Sequence, residues 1–393
     1  MSEIAPKYRG LIDLVRQIYQ SSGTIPLHEP RFRGNEKRYL ADCIDTTFVS
    51  SVGAYVDRLE AMMSEITGAK AAIATVNGTA ALHMALILAN VQDGDEVITQ
   101  PLSFVATCNA IAYQGAHPVF VDVDRDTLSL SPEALRAFLE ENAERKAKVC
   151  YNRKTGRCIK AVVPMHTFGL PGRAEALRDI CAEWGITLIE DAAEAIGSRI
   201  GERHSGRFGA LGAFSFNGNK IVTSGGGGCI ITDDEELARR AKHLTTTAKR
   251  AHPWEFDHDE VGYNYRLPNL NAAVACAQLE QLPEFLDDKR TTASRYAAYC
   301  HTHGIDFVQE RPDTRANYWL NCIQMTSRHE RDSFLAYCHA QGVMARPAWI
   351  LMPRLPAFSG EFSGPLGNAD WLADRLVTLP SSVTHPPIGQ QGD

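Results

Sequence analysis

The sequence has no apolar run of the roughly 20 residues that cross a bilayer, and no Lys/Arg-rich run or face typical of nucleic-acid binding. Charged residues already occur within residues 1–10, where a signal peptide would begin its apolar core. The formal net charge of −7 is spread along the 393 residues. We therefore expect a cytoplasmic protein that binds neither a membrane nor nucleic acid.

Motifs for metals and for the common nucleotide cofactors are missing as well. The ten cysteines form no C-x-x-C pair and the 13 histidines form no H-E-x-x-H. We expect no metal site, and we expect reduced, mostly buried thiols. No G-x-G-x-x-G follows the first predicted strand and no P-loop occurs, which argues against NAD and ATP.

The sequence does contain a regular alternation of short apolar runs and segments with helical periodicity. This alternation predicts an α/β fold with a mostly parallel sheet covered by helices. The predicted strands are residues 71–76, 96–99, 118–121, 161–165, 186–189, 211–216 and 229–232.

The pattern predicts four regions along the chain. Residues 1–30 are expected to form an N-terminal helix and an extended arm, and residues 31–282 a large α/β domain. Residues 283–383 are expected to form a smaller α+β domain that begins with a helix over residues 287–303. Residues 384–393 contain two prolines, two glycines and no apolar period, and we predict a disordered tail there.

Two polar residues near predicted strand ends suggest chemistry. Asp191 follows an apolar strand, where open α/β sheets hold ligands, although it could also cap a helix over residues 192–194. Lys220 lies between an apolar strand and the glycines 225–228. A lysine shielded from water is the nucleophile that a Schiff base requires, whereas most lone lysines are solvated surface charges.

A third feature is the predicted helix start after the first strand. Gly78 and Thr79 would place backbone N–H groups and a hydroxyl at the positive end of the helix dipole, which suits an anion such as phosphate. Thr79 could instead serve only as the helix cap.

Together, five motifs resemble the DegT/DnrJ/EryC1/StrS family, sugar-nucleotide aminotransferases with the aspartate aminotransferase fold. In order, the motifs are NGTAAL at 77–82, PLSFVAT at 101–107, EDAAE at 190–194, FSFNGNK at 214–220 and GYNYRL at 262–267. The segment VSSVGAYV at 49–56 and the form NGNK are most similar to the LegC- and PglE-type branch. Members of that branch aminate C4 of UDP-2-acetamido-2,6-dideoxy-4-keto-hexoses.

The resemblance implies pyridoxal 5′-phosphate as the cofactor. Lys220 would bind it covalently and move the substrate proton, and Asp191 would pair with its ring nitrogen. The resemblance also implies that Gly78, Thr79 and Ser215 bind the phosphate of the cofactor. Phe104 would stack on the cofactor ring, and Glu194 would lie near the ring hydroxyl. Asn264 would reach the phosphate from the second subunit of a homodimer. Contacts to the nucleotide-sugar are implied at Tyr318, Trp319 and Arg346, which could otherwise be small-domain core and surface residues.

The implied reaction moves the amino group of L-glutamate to C4 of a UDP-linked 4-keto-6-deoxy-N-acetylhexosamine, in the synthesis of bacterial surface-glycan, nonulosonate or bacillosamine-type sugars. Alternatives are amination of a dTDP-linked 3-keto-sugar and a non-catalytic relative that binds the cofactor. A sugar 3-dehydratase is disfavoured because that activity goes with a histidine in place of Lys220. Two departures from the family are Asn217 and Asn219, where many members have a histidine, and a final small-domain element expected to be shortened after residues 379–382.

Overall fold

The computed structural model describes residues 4–147 and 149–384, so the predicted tail, apart from Thr384, lies outside the described residues. The helices are α1 Pro6–Tyr19, α2 Glu36–Asp45, α3 Ala54–Thr67, α4 Gly78–Leu88, α5 Val105–Tyr113, α6 Pro132–Asn142, α7 Ala174–Trp184, α8 Glu235–Thr245, α9 Asn269–Leu279, α10 Leu282–His303, α11 Arg328–Ala340 and α12 Gly367–Ala373. The strands are β1 Ala71–Thr75, β2 Glu96–Thr99, β3 His117–Phe120, β4 Ala143–Lys146, β5 Val149–Asn152, β6 Ile159–Val163, β7 Thr187–Asp191, β8 Arg199–Ile200, β9 Arg203–His204, β10 Leu211–Ser215, β11 Gly228–Thr232, β12 Asp306–Phe307, β13 Thr314–Arg315, β14 Asn321–Gln324, β15 Arg346–Pro347 and β16 Leu376–Leu379.

The central sheet has seven strands in the order β1-β11-β10-β7-β6-β2-β3. Strands β10, β7, β6, β2 and β3 run parallel, and β11 is antiparallel to both of its neighbours. The predicted α/β class with a mostly parallel sheet is confirmed. Each predicted strand of this sheet lies within two residues of its observed bounds, because near-continuous apolar runs are typical of strands buried on both faces.

The strand directions gather the polar residues at one edge of this sheet. β7 ends at Asp191 and β10 ends at Ser215, and Ala213 is the parallel partner of Asp191. β1 points the same way as β10, since each is antiparallel to β11. The start of α4 at Gly78 therefore comes beside Ser215, at the sheet edge where open α/β folds hold ligands.

A second, antiparallel sheet with the order β12-β14-β16-β15 lies in residues 306–379. Helix α1 packs into the core beside this sheet, where Leu11 and Val15 share one apolar cluster with Tyr296 and Phe334. The N-terminal helix thus supports the small C-terminal region rather than the large sheet. The division into residues 31–282 and 283–383 stays our proposal.

The first helix begins at Pro6, because proline favours the first turn, where its missing N–H costs nothing. Around residues 343–346 there is an isolated bridge between Val343 and Ile25, followed by the two-residue strand β15. All ten cysteines are free thiols, and nine of them are buried. None of the helices in the described ranges is both long and apolar enough to span a membrane.

Candidate active site

A cavity of about 290 Å³ opens at the sheet edge defined above. Its walls come from the loops after β1, β2, β7 and β10 together with two tryptophans of the C-terminal region. Seven of the eight predicted cofactor residues line it: Gly78, Thr79, Phe104, Asp191, Glu194, Ser215 and Lys220. The topology therefore brings together side chains that are as much as 142 positions apart.

Asp191 lies at the floor of the cavity and is almost completely buried. One carboxylate oxygen accepts a hydrogen bond from Thr107 Oγ1 at 2.7 Å, and the other accepts one from the Ala193 N–H at 3.1 Å. Residues 192–198 form turns and no helix, so the helix-cap alternative for Asp191 is wrong. Burial raises the pKa of Asp191, although these hydrogen bonds oppose the shift. The protonated ring nitrogen of the expected cofactor would supply the cationic partner that such a buried carboxylate requires.

Lys220 follows β10 in a loop, and its side chain is only 12% exposed. Its Nζ donates a hydrogen bond to Glu194 Oε1 at 3.0 Å and lies 4.0 Å from the centre of the Trp319 ring. Glu194 is buried, and its second oxygen accepts the Phe168 N–H at 2.9 Å. Burial raises the pKa of Glu194 to about 7, against the opposing effect of Lys220. Lys220 is thus a shielded amine held in place by one carboxylate and one aromatic face.

Asn217 and Asn219 stabilise the loop that carries Lys220. The Asn217 carbonyl accepts the Lys220 N–H at 3.0 Å, and the Asn217 side-chain amide donates to Asn219 Oδ1 at 3.3 Å. The Asn219 carbonyl accepts Trp319 Nε1–H at 2.7 Å. These bonds tie the loop that carries Lys220 to the tryptophan that contacts it.

The start of α4 and the end of β10 form a cradle for an anion. A side chain at Gly78 would bring its Cβ within 2.7 Å of the Ser215 Cβ, so only glycine leaves this space open. The first N–H groups of a helix have no acceptor within the helix, and they point toward the cavity end. Asn77 caps the helix by accepting the Ala80 N–H at 2.7 Å, so the cap is not Thr79.

Four further predicted residues lie in different places. Trp319 lines the cavity, whereas Arg346 lines an adjoining cavity that shares Trp319 with the first. Tyr318 is buried away from both cavities, and its hydroxyl accepts the Glu310 N–H at 3.2 Å. Asn264 is exposed and does not line the cavity of its own chain.

Among the residues that sequence reasoning missed are two polar residues that position the site, Thr107 and Asn77. Thr107 lies three residues after Phe104 at the start of α5, a spacing that puts both near one helix face. Asn77 directly precedes the Gly-Thr pair, and asparagine is a favoured helix cap. Both signals were present in the printed sequence.

Comparison with known proteins assigns the family. The DegT/DnrJ/EryC1/StrS aminotransferase family matches residues 30–386. The chain belongs to that family. It is 36% identical to EpsN of Bacillus subtilis (strain 168), provisionally described as a pyridoxal phosphate-dependent aminotransferase, over 91% of this chain and 90% of that protein. It is 34% identical to the GDP-perosamine synthase of Vibrio cholerae over 91% of this chain and 94% of that one.

A solved structure agrees in fold. The aminotransferase TlmJ from Streptoalloteichus hindustanus superposes with a TM-score of 0.83 at 28% identity, covering 91% of this chain and 94% of that chain. The expected activity class is confirmed: the protein is a pyridoxal phosphate-dependent sugar-nucleotide aminotransferase. The cavity fits that cofactor, because a glycine-dependent anion cradle, a buried carboxylate and a shielded lysine surround one space.

Proposed function

We propose that the enzyme takes the amino group of L-glutamate and delivers it to C4 of a nucleotide-linked 4-keto-6-deoxy sugar, with a UDP-linked N-acetylhexosamine as the first candidate. Such products serve the synthesis of bacterial surface glycans and of nonulosonate- or bacillosamine-type sugars. The observation that carries the amino-transfer chemistry is the position of Lys220 Nζ, 3.0 Å from buried Glu194 on the cavity that also contains Asp191.

Each residue of the site would have a separate role in the reaction. When bound, pyridoxal phosphate withdraws electrons from the carbon that bears the amino group, so that the proton on this carbon becomes acidic. Lys220 would remove and return that proton as a general base and acid. Asp191 would hold a proton on the ring nitrogen, and Glu194 would orient the lysine amine. Gly78 and Ser215 would hold the phosphate at the start of α4.

The C4 position and the UDP nucleotide rest on the branch resemblance at residues 49–56 and 217–220. A GDP-linked keto-sugar is the second candidate, because one relative at 34% identity is named a GDP-perosamine synthase. A dTDP-linked 3-keto-sugar is the third candidate, and both alternatives are included in the test below.

A panel of nucleotide keto-sugars would decide among these candidates. The enzyme is first converted with L-glutamate, and each sugar is then added while the visible absorbance of the oxidised cofactor is followed. We expect the fastest return with the UDP-linked 4-keto-N-acetyl sugar. If the absorbance returned faster with a GDP-linked sugar, the substrate nucleotide would be GDP rather than UDP. If it returned faster with a 3-keto-sugar, C4 amination would be refuted. No response to L-glutamate would refute the amino donor.

We further propose that the active enzyme is a homodimer in which Asn264 reaches the cofactor phosphate of the neighbouring subunit. The exposed Asn264 has no place in the cavity of its own chain. Its neighbour Tyr265 is close to the cradle, since the Tyr265 carbonyl accepts the Val76 N–H at 2.9 Å just before α4. The motif therefore runs along the rim of the site, where a second copy could complete it.

Mixing two inactive variants would test this shared site. Lys220→Ala and Asn264→Ala subunits are unfolded and refolded together, and each variant refolded alone is the control. If Asn264 acts across the interface, half of the sites in each hybrid dimer are intact, so about a quarter of wild-type activity should return after random pairing. No recovery, or a fully active monomer in sedimentation, would contradict the proposal.

A further inference from the structure

A second cavity, of about 420 Å³, adjoins the cofactor cavity and shares Asn219, Trp319 and Trp349 with it. Its remaining walls include His28 from the arm between α1 and α2 and Arg346 from β15. Because Trp319 also contacts Lys220, a substrate that reacts at the lysine would extend into this second space.

The arm holds His28 in a fixed position. Ile25 exchanges backbone hydrogen bonds with the loop after α11, as donor to the Gly342 carbonyl and as acceptor from the Met344 N–H, both at 2.9 Å. On the other side, the Leu27 carbonyl accepts the Ser381 N–H at 2.7 Å. The Glu29 N–H donates to Ser382 Oγ at 2.9 Å. His28 is therefore anchored through both of its sequence neighbours.

Despite this anchoring, the imidazole of His28 is not hydrogen-bonded. Both ring nitrogens are buried, and neither has a partner among residues 4–147 and 149–384. The centre of the Trp319 ring lies 6.4 Å away at a tilted angle. A buried polar group without a partner opposes folding, so a fixed one on a cavity wall calls for an explanation. A ligand that supplies the missing hydrogen bond is such an explanation.

The surrounding charges determine what this ligand group can be. The buried Lys289 donates hydrogen bonds to the carbonyls of Trp319, at 3.1 Å, and of Ser381. Burial lowers the pKa of His28 well below its usual value, and the positive charges of Lys289, Lys220 and Arg31 lower it further. The neutral imidazole has one donor and one acceptor nitrogen, which suits an uncharged polar group. The exposed Arg346 on the same cavity is better suited to a phosphate.

We propose that His28 is a specificity-determining residue that hydrogen-bonds an uncharged substituent, a hydroxyl or an acetamido group, of the sugar ring held next to Lys220. This inference rests on the proposed function, because it assumes that a nucleotide-linked keto-sugar enters the cavity. It assigns recognition of the sugar to the N-terminal arm, for which the sequence alone indicated no role.

Two substitutions at this position, with one matched control, would test the inference. His28→Leu removes the hydrogen-bonding groups, and His28→Gln keeps an uncharged donor and acceptor. His329→Leu changes an exposed histidine of α11 that lines neither cavity. For each protein, the sugar half-reaction is measured at limiting concentration of the sugar that wild type uses best, and the glutamate half-reaction is measured separately. Thermal unfolding of each variant is followed as well.

We expect His28→Leu to slow the sugar half-reaction about 10-fold more than the glutamate half-reaction, with partial recovery in His28→Gln, as for one lost hydrogen bond. The Tm of His28→Leu should equal or exceed that of wild type, because an unpartnered polar group is removed. A lowered Tm with equal loss in both half-reactions would indicate a structural role and overturn the inference. Unchanged sugar kinetics would overturn it while the proposed function stands. If no nucleotide keto-sugar reacted with wild type, both would fail.

Discussion

The two cavities that meet at Trp319 and Trp349 differ in how their buried polar groups are partnered. In the cofactor cavity, Asp191 accepts hydrogen bonds from Thr107 and Ala193, and Glu194 accepts them from Phe168 and Lys220. In the adjoining cavity, both ring nitrogens of His28 are buried without a partner in the described parts of the chain.

This difference is what we expect if the first cavity binds the cofactor and the second binds the substrate, as proposed above. The family's cofactor is the same in every turnover, so its side chains can be held in place by permanent hydrogen bonds, which preorganise the charges around the reacting atoms. A substrate arrives and leaves, so a group that recognises it is left without a partner between turnovers and destabilises the empty protein. Substitutions on the two sides should therefore have different effects on the two half-reactions.

The largest effect is expected on the cofactor side at Lys220. Lys220→Ala should lower transamination by about 10⁴-fold or more, because acid–base catalysis contributes up to that amount and the covalent contact to the cofactor is lost too. Lys220→Arg should not restore it. Conversion of L-glutamate in a single turnover measures the loss, and circular dichroism verifies the fold. Wild-type turnover in a folded Lys220→Ala protein would disprove the assignment.

The next largest effect is expected at Asp191. Asp191→Asn should retain the cofactor but slow the reaction by about 10²- to 10³-fold, the usual loss when one preorganised electrostatic group is removed. The measurements are kcat with L-glutamate and the bound cofactor fraction by absorbance. Full activity in this variant would show that the buried carboxylate is structural.

Glu194→Gln should show a pH-dependent change in stability. The pKa of Glu194 is raised by burial from 4.5 to about 7, so the folded protein holds a proton that the unfolded chain releases above pH 4.5. Wild type should therefore lose stability relative to the variant as the pH rises from about 4.5 to 7, by up to about 3 kcal/mol. Denaturant unfolding of both cofactor-free proteins at pH 5 and pH 8 measures it. A stability difference independent of pH would contradict the raised pKa.

The smallest effect is expected at Thr107, which contacts Asp191 rather than the cofactor. Thr107→Val removes the 2.7 Å hydrogen bond to the carboxylate and should lower kcat about 10-fold. It should also raise the pKa of Asp191 further, because one stabilising donor is lost. Thr107→Ser retains the hydroxyl and should keep most of the activity. Equal activity of all three proteins would limit Thr107 to packing.

Much of the cofactor side could be predicted from the sequence because the seven predicted residues that line the cavity lie within five positions of a strand end. Apolar runs indicated β1, β7 and β10, and the ends of parallel strands meet at one sheet edge. Asp191 and Ser215 were therefore expected near one site. The alternative that Thr79 caps the helix was wrong, because α4 already begins at Gly78 and Asn77 caps it by accepting the Ala80 N–H.

The sequence by itself determined the fold class, the family and the residues around the cofactor, since these depend on local patterns and on short loops at strand ends. Only the tertiary structure decided that Trp319 contacts Lys220, that Tyr318 points elsewhere, and that His28 lies on the wall of the second cavity. These contacts join segments separated by about 100 to 300 positions. They depend on how the small C-terminal region packs against the large sheet, and no periodicity or spacing along the chain specifies that arrangement.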